Sequence, residues 1–221
     1  DGYRYGGKAF DRRRELGEIA AALDSVEHIV QVSNLDPGAP LPDDARAVSW
    51  NALLDHPPVP AAGFEFAQVP FDHPLWILFS SGTTGLPKAI VHGHGGILLE
   101  MMKLLHFHMD IHPGERTFFF TTTGWMMWNV VASSLLVGAC PVLYDGNPAY
   151  PEPDVLWKMA QDSRAAFFGA SPTYVDIMAR AGIVPGARHD LSGLRAIMPA
   201  GSPVSPECTA WFYDNVKKDL W

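Results

Sequence analysis

Short runs of apolar residues alternate with helical patterns along most of this sequence, and this alternation limits the fold more than any other feature. Strands that are apolar throughout are typical of a sheet buried on both faces. Helical segments between such strands are typical of parallel pairing. We therefore predict an α/β fold with a mostly parallel sheet covered by helices on both faces.

The predicted elements follow from the apolar pattern and from turn signals. Residues 33–74, rich in Pro, Asp and Ala, are the least regular part. The predicted strands are 28–32, 75–79, 89–91, 117–121, 141–144, 165–168 and 194–198. The predicted helices are 11–24, 97–109, 128–137 and 154–162, with two more that begin at Pro172 and Pro206.

Serine–proline pairs and glycines mark the predicted helix ends. Ser171 and Ser205 each precede a proline, the arrangement of an N-cap followed by the first helical residue. Gly138 and Gly182 follow predicted helices, where a left-handed residue is needed to end them.

Composition excludes several classes of protein. A chain of 221 residues with 48% hydrophobic and 18% charged residues can form one large domain or most of one, and is not disordered. The net charge of −8 disfavours binding to nucleic acid or to anionic membranes. Two cysteines, Cys140 and Cys208, indicate buried thiols in a reducing compartment. We predict a cytoplasmic protein that binds neither nucleic acid nor membrane; its oligomeric state stays open.

The loop 80–88 is the strongest indication of chemistry. It holds four hydroxyl side chains, two glycines and Lys88. The glycines let backbone N–H groups approach an anion, and the lysine adds a point charge, so the loop suits nucleotide phosphates. It is not the common nucleotide loop, because Pro87 precedes the lysine and Ala89 follows it. An ordinary Ser/Thr-rich turn is the alternative.

Four segments are predicted to meet at one edge of the sheet. Ligands of parallel α/β sheets bind beyond the carboxyl ends of the strands. The segments that follow predicted strands are 80–88, 121–128, 169–171 and 199–203. We expect them to form one shared site.

The string FSSGTTGLPK at 79–88 resembles the phosphate-binding signature of the adenylate-forming superfamily. That superfamily contains acyl-CoA synthetases, peptide-synthetase adenylation domains and luciferases. The strings AIVHGHGGILLE (89–100), TTTGWMMWN (121–129) and YDGNP (144–148) resemble the acetoacetyl-CoA synthetase branch more than acetyl-CoA synthetases. The opening DGYRYGGK and the later GSP fit the same branch.

The resemblance implies an organisation and a reaction. Residues 1–221 would form a partial AMP-binding (adenylation) domain, an internal piece lacking an N-terminal part and the C-terminal lid domain. The intact enzyme would use ATP and Mg²⁺ to convert acetoacetate to an acyl-adenylate, and transfer the acyl group to CoA. The partners would be these small molecules. The piece alone is expected to be inactive, and no catalytic residue or metal ligand is assigned within it.

Two other functions stay open. The first is a synthetase for another short acid, such as acetate. The second is a nucleotide-binding fragment without catalysis.

The resemblance also implies which residues bind the nucleotide. Gly201, Ser202 and Pro203 would lie against the adenine, and Ser202 stands where acetyl-CoA synthetases carry glutamate. An ordinary turn before a helix is the alternative there. The residues expected to bind the ATP phosphates are Ser80, Ser81, Gly82, Thr83, Thr84, Gly85 and Lys88.

The acyl pocket is expected at Trp125, Met126 and Met127. Large apolar residues at a strand-to-helix junction are equally typical of core packing. Asn129 would either orient a β-keto oxygen or cap a helix. His92 and His94 are too closely spaced for a zinc site without a distant third ligand, and we predict that they make hydrogen bonds.

Overall fold

The computed structural model describes residues 1–80 and 85–221. The chain divides into two compact units, Asp1–Ala67 and Gln68–Trp221. None of the described helices is long and apolar enough to cross a membrane.

The first unit is small and built from short elements. Strands β1 and β2 pair antiparallel, while β3 and β4 pair in parallel. Only β3 and α1 correspond to predicted elements; β4 and α2 lie in the region predicted to be irregular. Its elements are β1 (Gly2–Tyr5), β2 (Lys8–Asp11), α1 (Arg13–Ala22), β3 (Ile29–Gln31), β4 (Ala47–Ser49), α2 (Trp50–Leu54) and a 3₁₀ turn at Ala61–Gly63.

The side chain of Arg46 closes the C-terminal end of α1. Its guanidinium donates hydrogen bonds to the carbonyl oxygens of Ala20 and Val26, both at 2.9 Å. It also pairs with Asp44, and this hydrogen bonding lowers the pKa of the Asp44 carboxyl to about 2. An arginine thus satisfies backbone carbonyls that a helix end leaves without partners.

The second unit contains the predicted parallel sheet. Among the described residues, four strands pair in parallel in the order β10–β9–β7–β8. Its strands are β5 (Pro74–Ser80), β6 (Lys88–Gly93), β7 (Arg116–Phe119), β8 (Cys140–Val142), β9 (Phe167–Ala170) and β10 (Ala196–Pro199). Its helices are α3 (His94–Lys103, then a π-helical turn at Leu104–His108), α4 (Met127–Ser133, then a 3₁₀ turn at Ser134–Val137), α5 (Val155–Ser163), α6 (Pro172–Arg180), α7 (Pro185–Arg188) and α8 (Pro206–Asn215).

The sheet buries both of its faces, as predicted. Successive side chains of a strand point to opposite faces, so neighbouring phenylalanines enter different cores. Helices α5, α6 and α8 cover one face, and α3 and α4 cover the other. Core 1 contains Phe118, Leu156, Trp157, Phe168, Tyr174 and Met178. Core 2 contains Ile97, Met101, Phe119, Met127, Val130 and Phe167.

The strands on either side of the loop 80–88 differ from the prediction. β5 and β6 pair antiparallel as a hairpin, outside the parallel sheet. The prediction of a buried strand at 75–79 is wrong, since Ile77 is 55% and Phe79 is 69% exposed. Only the alternate residues Trp76 and Leu78 are half-buried. A wholly apolar run predicts a strand with both faces covered, but only one face of β5 is partly covered by other residues.

The predicted helix ends are largely confirmed. Ser205 accepts a hydrogen bond from the Cys208 N–H at 3.2 Å, the expected cap of α8. Ser171 occupies the N-cap position of α6, without a side-chain cap bond. Gly138 and Gly182 have φ of +73° and +63°, which favours glycine after a helix.

Arg195 joins strands at the amino ends of the sheet. Its guanidinium donates to the carboxylate of Glu115 at 2.8 Å and to that of Asp110 at 3.0 Å. Glu115 directly precedes β7 and Arg195 directly precedes β10, with β9 paired between them. The ion pairs therefore fix β7 and β10, the two neighbours of β9, relative to each other.

The carboxylate of Asp154 joins α5 to α7. It accepts hydrogen bonds from Arg188 at 3.2 Å and from the His189 ring at 3.1 Å. Burial alone would raise the pKa of Asp154, but the hydrogen bonds outweigh this effect and hold its pKa below the ordinary value. The pairing stabilises the fold wherever Asp154 is ionised.

We expect Asp154→Asn to weaken this junction by about 1–2 kcal/mol at neutral pH, because a charged acceptor becomes neutral. The folded-state pKa lies below the unfolded value of about 3.9, so the parent's advantage is complete above that value. It is lost as the pH falls through the folded pKa. Hydrogen exchange of residues 155–163 in the full-length protein, followed against pH, measures the difference.

The control is Asp176→Asn, which alters an exposed carboxylate on α6. It should leave exchange in α5 unchanged. If the parent protects α5 from hydrogen exchange better than Asp154→Asn by the same amount in strong acid as at neutral pH, the stabilisation does not come from the ionised Asp154 carboxylate.

Candidate functional site

The loops that follow β7, β9 and β10 all begin at one edge of the sheet, called here the carboxyl edge. Phe119 of β7 pairs with Gly169 of β9, and Ala170 pairs with Pro199 of β10. Pairing continues past the strand ends, because the Ala200 N–H donates to the Ala170 carbonyl at 3.1 Å. The segments that follow these strands therefore leave the sheet side by side.

Gly201 lies where these segments meet. Its φ is +107°, a conformation that residues with side chains rarely adopt. A Cβ at this position would lie 3.2 Å from Cη2 of Trp125 and 4.0 Å from Cβ of Ser171. The absence of a side chain thus lets the Gly201 loop pack directly on the Trp125 ring. Three of the four segments that the sequence predicts to converge do so here.

The predicted acyl-pocket residues occupy two environments. Trp125 and Met126 are 36% and 44% exposed, and the Trp125 and Phe119 rings pack edge to face with their centroids 5.9 Å apart. Met127 is buried in core 2, which indicates a packing role for its side chain. Asn129 lies inside α4, whose N-cap is Met126, so the cap interpretation of Asn129 is wrong.

The predicted phosphate loop joins the two strands of the hairpin. Ser80 pairs with Lys88 at the end of the ladder. Ser81, Gly82, Thr83 and Thr84 lie outside the described residues. Gly85 and Lys88 are exposed, and the Lys88 ammonium makes no hydrogen bond or ion pair with the residues described. Its ammonium charge is therefore not neutralised by any described carboxylate.

The hairpin is attached through its base. The indole N–H of Trp76 donates to Nδ1 of His92 at 2.9 Å, and Trp76 packs against core 2. Nδ1 of His94 lies 2.8 Å from the His73 carbonyl oxygen. The predicted hydrogen bonds of His92 and His94 are confirmed. Across 1–80 and 85–221, no group of three His, Cys, Asp or Glu side chains could hold a metal ion.

The Phe119–Gly169 contact was not predicted from the sequence. A Cβ on Gly169 would lie only 1.9 Å from Cδ2 of Phe119, so the ring occupies the space of the missing side chain. A glycine within a strand is a signal of such close approach, and the run 165–170 carries one. The signal identifies the glycine but not the ring that fills its place.

Comparison with known proteins gives consistent matches. The family described as "AMP-binding enzyme" matches residues 8–220. The acetoacetyl-coenzyme A synthetase of Rhizobium meliloti (strain 1021) is 43% identical over 225 aligned residues, covering 100% of this chain and 33% of that protein. The acetoacetyl-CoA synthetase of Danio rerio is 33% identical, covering 98% of this chain and 33% of that protein.

A solved structure agrees with these matches. The acetoacetyl-CoA synthetase from Streptomyces lividans superposes with a TM-score of 0.89 at 43% identity. The match covers 100% of this chain and 33% of that one. The chain thus spans about one third of the length of the relatives it matches.

We expect Gly201→Ala to cost about 1–3 kcal/mol, because a methyl group meets both a strained backbone and the Trp125 ring. Gly114→Ala is the control, since Gly114 has φ of +81° with nothing near its missing Cβ. It should cost about 1–2 kcal/mol from the backbone alone. Thermal unfolding of the full-length variants measures both.

Repeating Gly201→Ala in a Trp125→Leu background separates the two contributions. The part of the cost that comes from the ring should disappear there. An identical cost in both backgrounds would show that the ring does not restrict Gly201.

Proposed function

This chain belongs to the AMP-binding enzyme family, and we propose that the protein containing it is an AMP-forming acid–CoA ligase acting on acetoacetate. The observation that carries the proposal is the meeting of the Trp125 segment with the Gly201 loop at the carboxyl edge. The names of its relatives support the choice of acid. The test is acetoacetate-dependent release of pyrophosphate from ATP by the full-length protein.

The proposed reaction has two steps. A carboxylate oxygen of the acid attacks the α-phosphorus of ATP, and the bond to the bridging oxygen breaks as pyrophosphate leaves. The thiol of CoA then attacks the acyl carbon, and AMP leaves. Each step requires in-line positioning and stabilisation of the negative charge that develops on the leaving group.

We assign the phosphates to the hairpin loop. Lys88 would contact the leaving phosphates, and its lack of a described carboxylate partner supports this role. The Gly85 N–H and the hydroxyls of the loop would add neutral donors. The sequence assigns Ser80, Ser81, Gly82, Thr83 and Thr84 to the same task.

We assign the adenine and the acid to the carboxyl edge. Gly201, Ser202 and Pro203 are exposed there and would lie against the base. Trp125 and Met126 would border the acid, since both side chains are exposed and the Trp125 ring lies against the Gly201 loop. Met127 supports the site from core 2.

Other components of the reaction are assigned to no residue of this chain. Mg²⁺ commonly binds through ATP phosphates with one or two carboxylates, and no described cluster would hold it independently. CoA is proposed as the acyl acceptor. Both cysteines are free thiols, which supports a reducing, cytoplasmic setting, although the prediction that they are buried is wrong, since Cys140 is exposed and Cys208 is half-buried. The relatives' names do not favour a non-catalytic fragment or an acetate-specific enzyme.

In the full-length enzyme, Lys88→Ala should slow adenylate formation much more than thioester formation. The phosphates that Lys88 contacts have departed before CoA attacks. Loss of a charge-assisted contact should raise the adenylation barrier on the order of 2–4 kcal/mol. Pyrophosphate release and acyl transfer from preformed acetoacetyl-AMP measure the two steps separately.

Lys103→Ala is the matched control, because Lys103 pairs with Glu100 on the exposed face of α3. It should leave both steps unchanged. Equal slowing of both steps by Lys88→Ala, with ATP binding intact, would remove Lys88 from the phosphate site.

We further expect Met126→Ala to relax the choice of acid. A shorter side chain would leave room for one or two more methylene groups, worth about 1–3 kcal/mol of discrimination. Met102→Ala is the control, because Met102 on α3 is also 44% exposed. The measurement is kcat/KM for acetoacetate, butyrate and hexanoate. An unchanged ranking in Met126→Ala would place Met126 outside the acid pocket.

A further inference from the structure

Two glycines and two aromatic rings form a continuous line of contacts along the carboxyl edge. Phe119 fills the space beside Gly169, its ring packs edge to face with that of Trp125, and Trp125 packs on Gly201. The line crosses from the ends of β7 and β9 to the loop that follows β10. It thus connects the proposed acid pocket with the proposed adenine loop.

Phe119 is the fixed member of this line. It is 5% exposed, packs in core 2, and lies over Gly169 so closely that a methyl group there would overlap the ring. A ring enclosed in this way is restricted in position, because close-packed interiors leave few voids into which a side chain can shift.

Trp125, in contrast, depends on its neighbours. Its ring is 36% exposed, and its indole N–H makes no hydrogen bond with the residues described. Its backbone N–H donates to the Thr122 carbonyl at 3.2 Å, which fixes the main chain but not the ring. The contacts with Phe119 and Gly201 restrain the plane of the ring.

We propose that Phe119 is a positioning residue for the choice of acid. Held against Gly169, it sets the plane of Trp125, which in turn borders the acid. The inference rests on the proposed function, because it requires Trp125 to face the substrate. It adds a residue that never touches the substrate yet controls which acids fit.

The neighbouring phenylalanine provides a matched control. Phe118 is 1% exposed in the same strand but points into core 1, where its ring lies 5.4 Å from that of Phe168. Leucine at either position removes a buried ring of the same size. Only the change at Phe119 removes support from Trp125.

The experiment compares Phe119→Leu and Phe118→Leu in the full-length enzyme. The measurement is the ratio of kcat/KM for acetoacetate to that for butyrate. Phe119→Leu should change the ratio about three- to tenfold, mainly through KM for the acid. Phe118→Leu should keep the ratio within about twofold, even where it lowers thermal stability equally.

A double-mutant cycle tests the route through Trp125. In a Trp125→Ala background, Phe119→Leu should have no further effect on the ratio, because the ring it supports is gone. If Phe119→Leu does not fold, Phe119→Met replaces it, since methionine retains volume without the aromatic edge.

Each outcome decides the matter. An equal shift in Phe118→Leu, or a shift that persists without Trp125, would overturn the role of Phe119 alone. If the parent is active and Phe119→Leu leaves the acetoacetate-to-butyrate ratio of kcat/KM unchanged, the role of Phe119 is overturned as well. A parent that releases pyrophosphate with no acid would overturn the proposed function and this inference together.

Discussion

Parallel pairing of β9 between β7 and β10 is the interaction on which the rest of the second unit depends. It places Phe168 in core 1 and Phe167 in core 2, so one strand serves both hydrophobic cores. The same pairing brings three strand ends to a common edge. Core formation and site formation are therefore consequences of a single set of backbone hydrogen bonds.

The register of this pairing is tightly specified. A slip of one residue in β7 would move Phe118 and Phe119 to the opposite faces of the sheet. Phe119 would then lose its place over Gly169, and two buried rings would enter cores shaped for different neighbours. The free energy of burial, about 1.5–3 kcal/mol for each large apolar side chain, thus also selects the geometry of the site.

Much of the fold follows from the sequence. The apolar run 117–121 and the serine–proline pair at 205–206 predict β7 and α8, because an apolar run and a capping pair can both be recognised within a short stretch of sequence. The hairpin could not be predicted in the same way. An apolar run such as 75–79 indicates a strand, but periodicity shows neither that it pairs antiparallel with the next strand nor that other elements leave one of its faces exposed. The short elements β4 and α2 lack a clear pattern.

The candidate site was predictable in outline. Strand ends indicated that the 121–128 and 199–203 segments would meet, because parallel strands share a carboxyl edge. The burial of Met127 in core 2 could not be predicted, since an apolar residue at a strand–helix junction suits both a pocket and a core. The contact of Phe119 with Gly169 depends on strand register and ring rotamer, and periodicity encodes neither.

The ion pairs of Arg195 with Glu115 and Asp110 lie at the opposite edge of the sheet from the candidate site. They secure the strands at the amino ends, while the proposed chemistry is at the opposite edge. Loops on that opposite edge can therefore diverge without loosening the framework beneath them. In such a scaffold, substitutions at exposed loop positions can change the preferred acid during evolution. They cost little stability, because the contacts that stabilise the sheet lie at its other edge and in its cores.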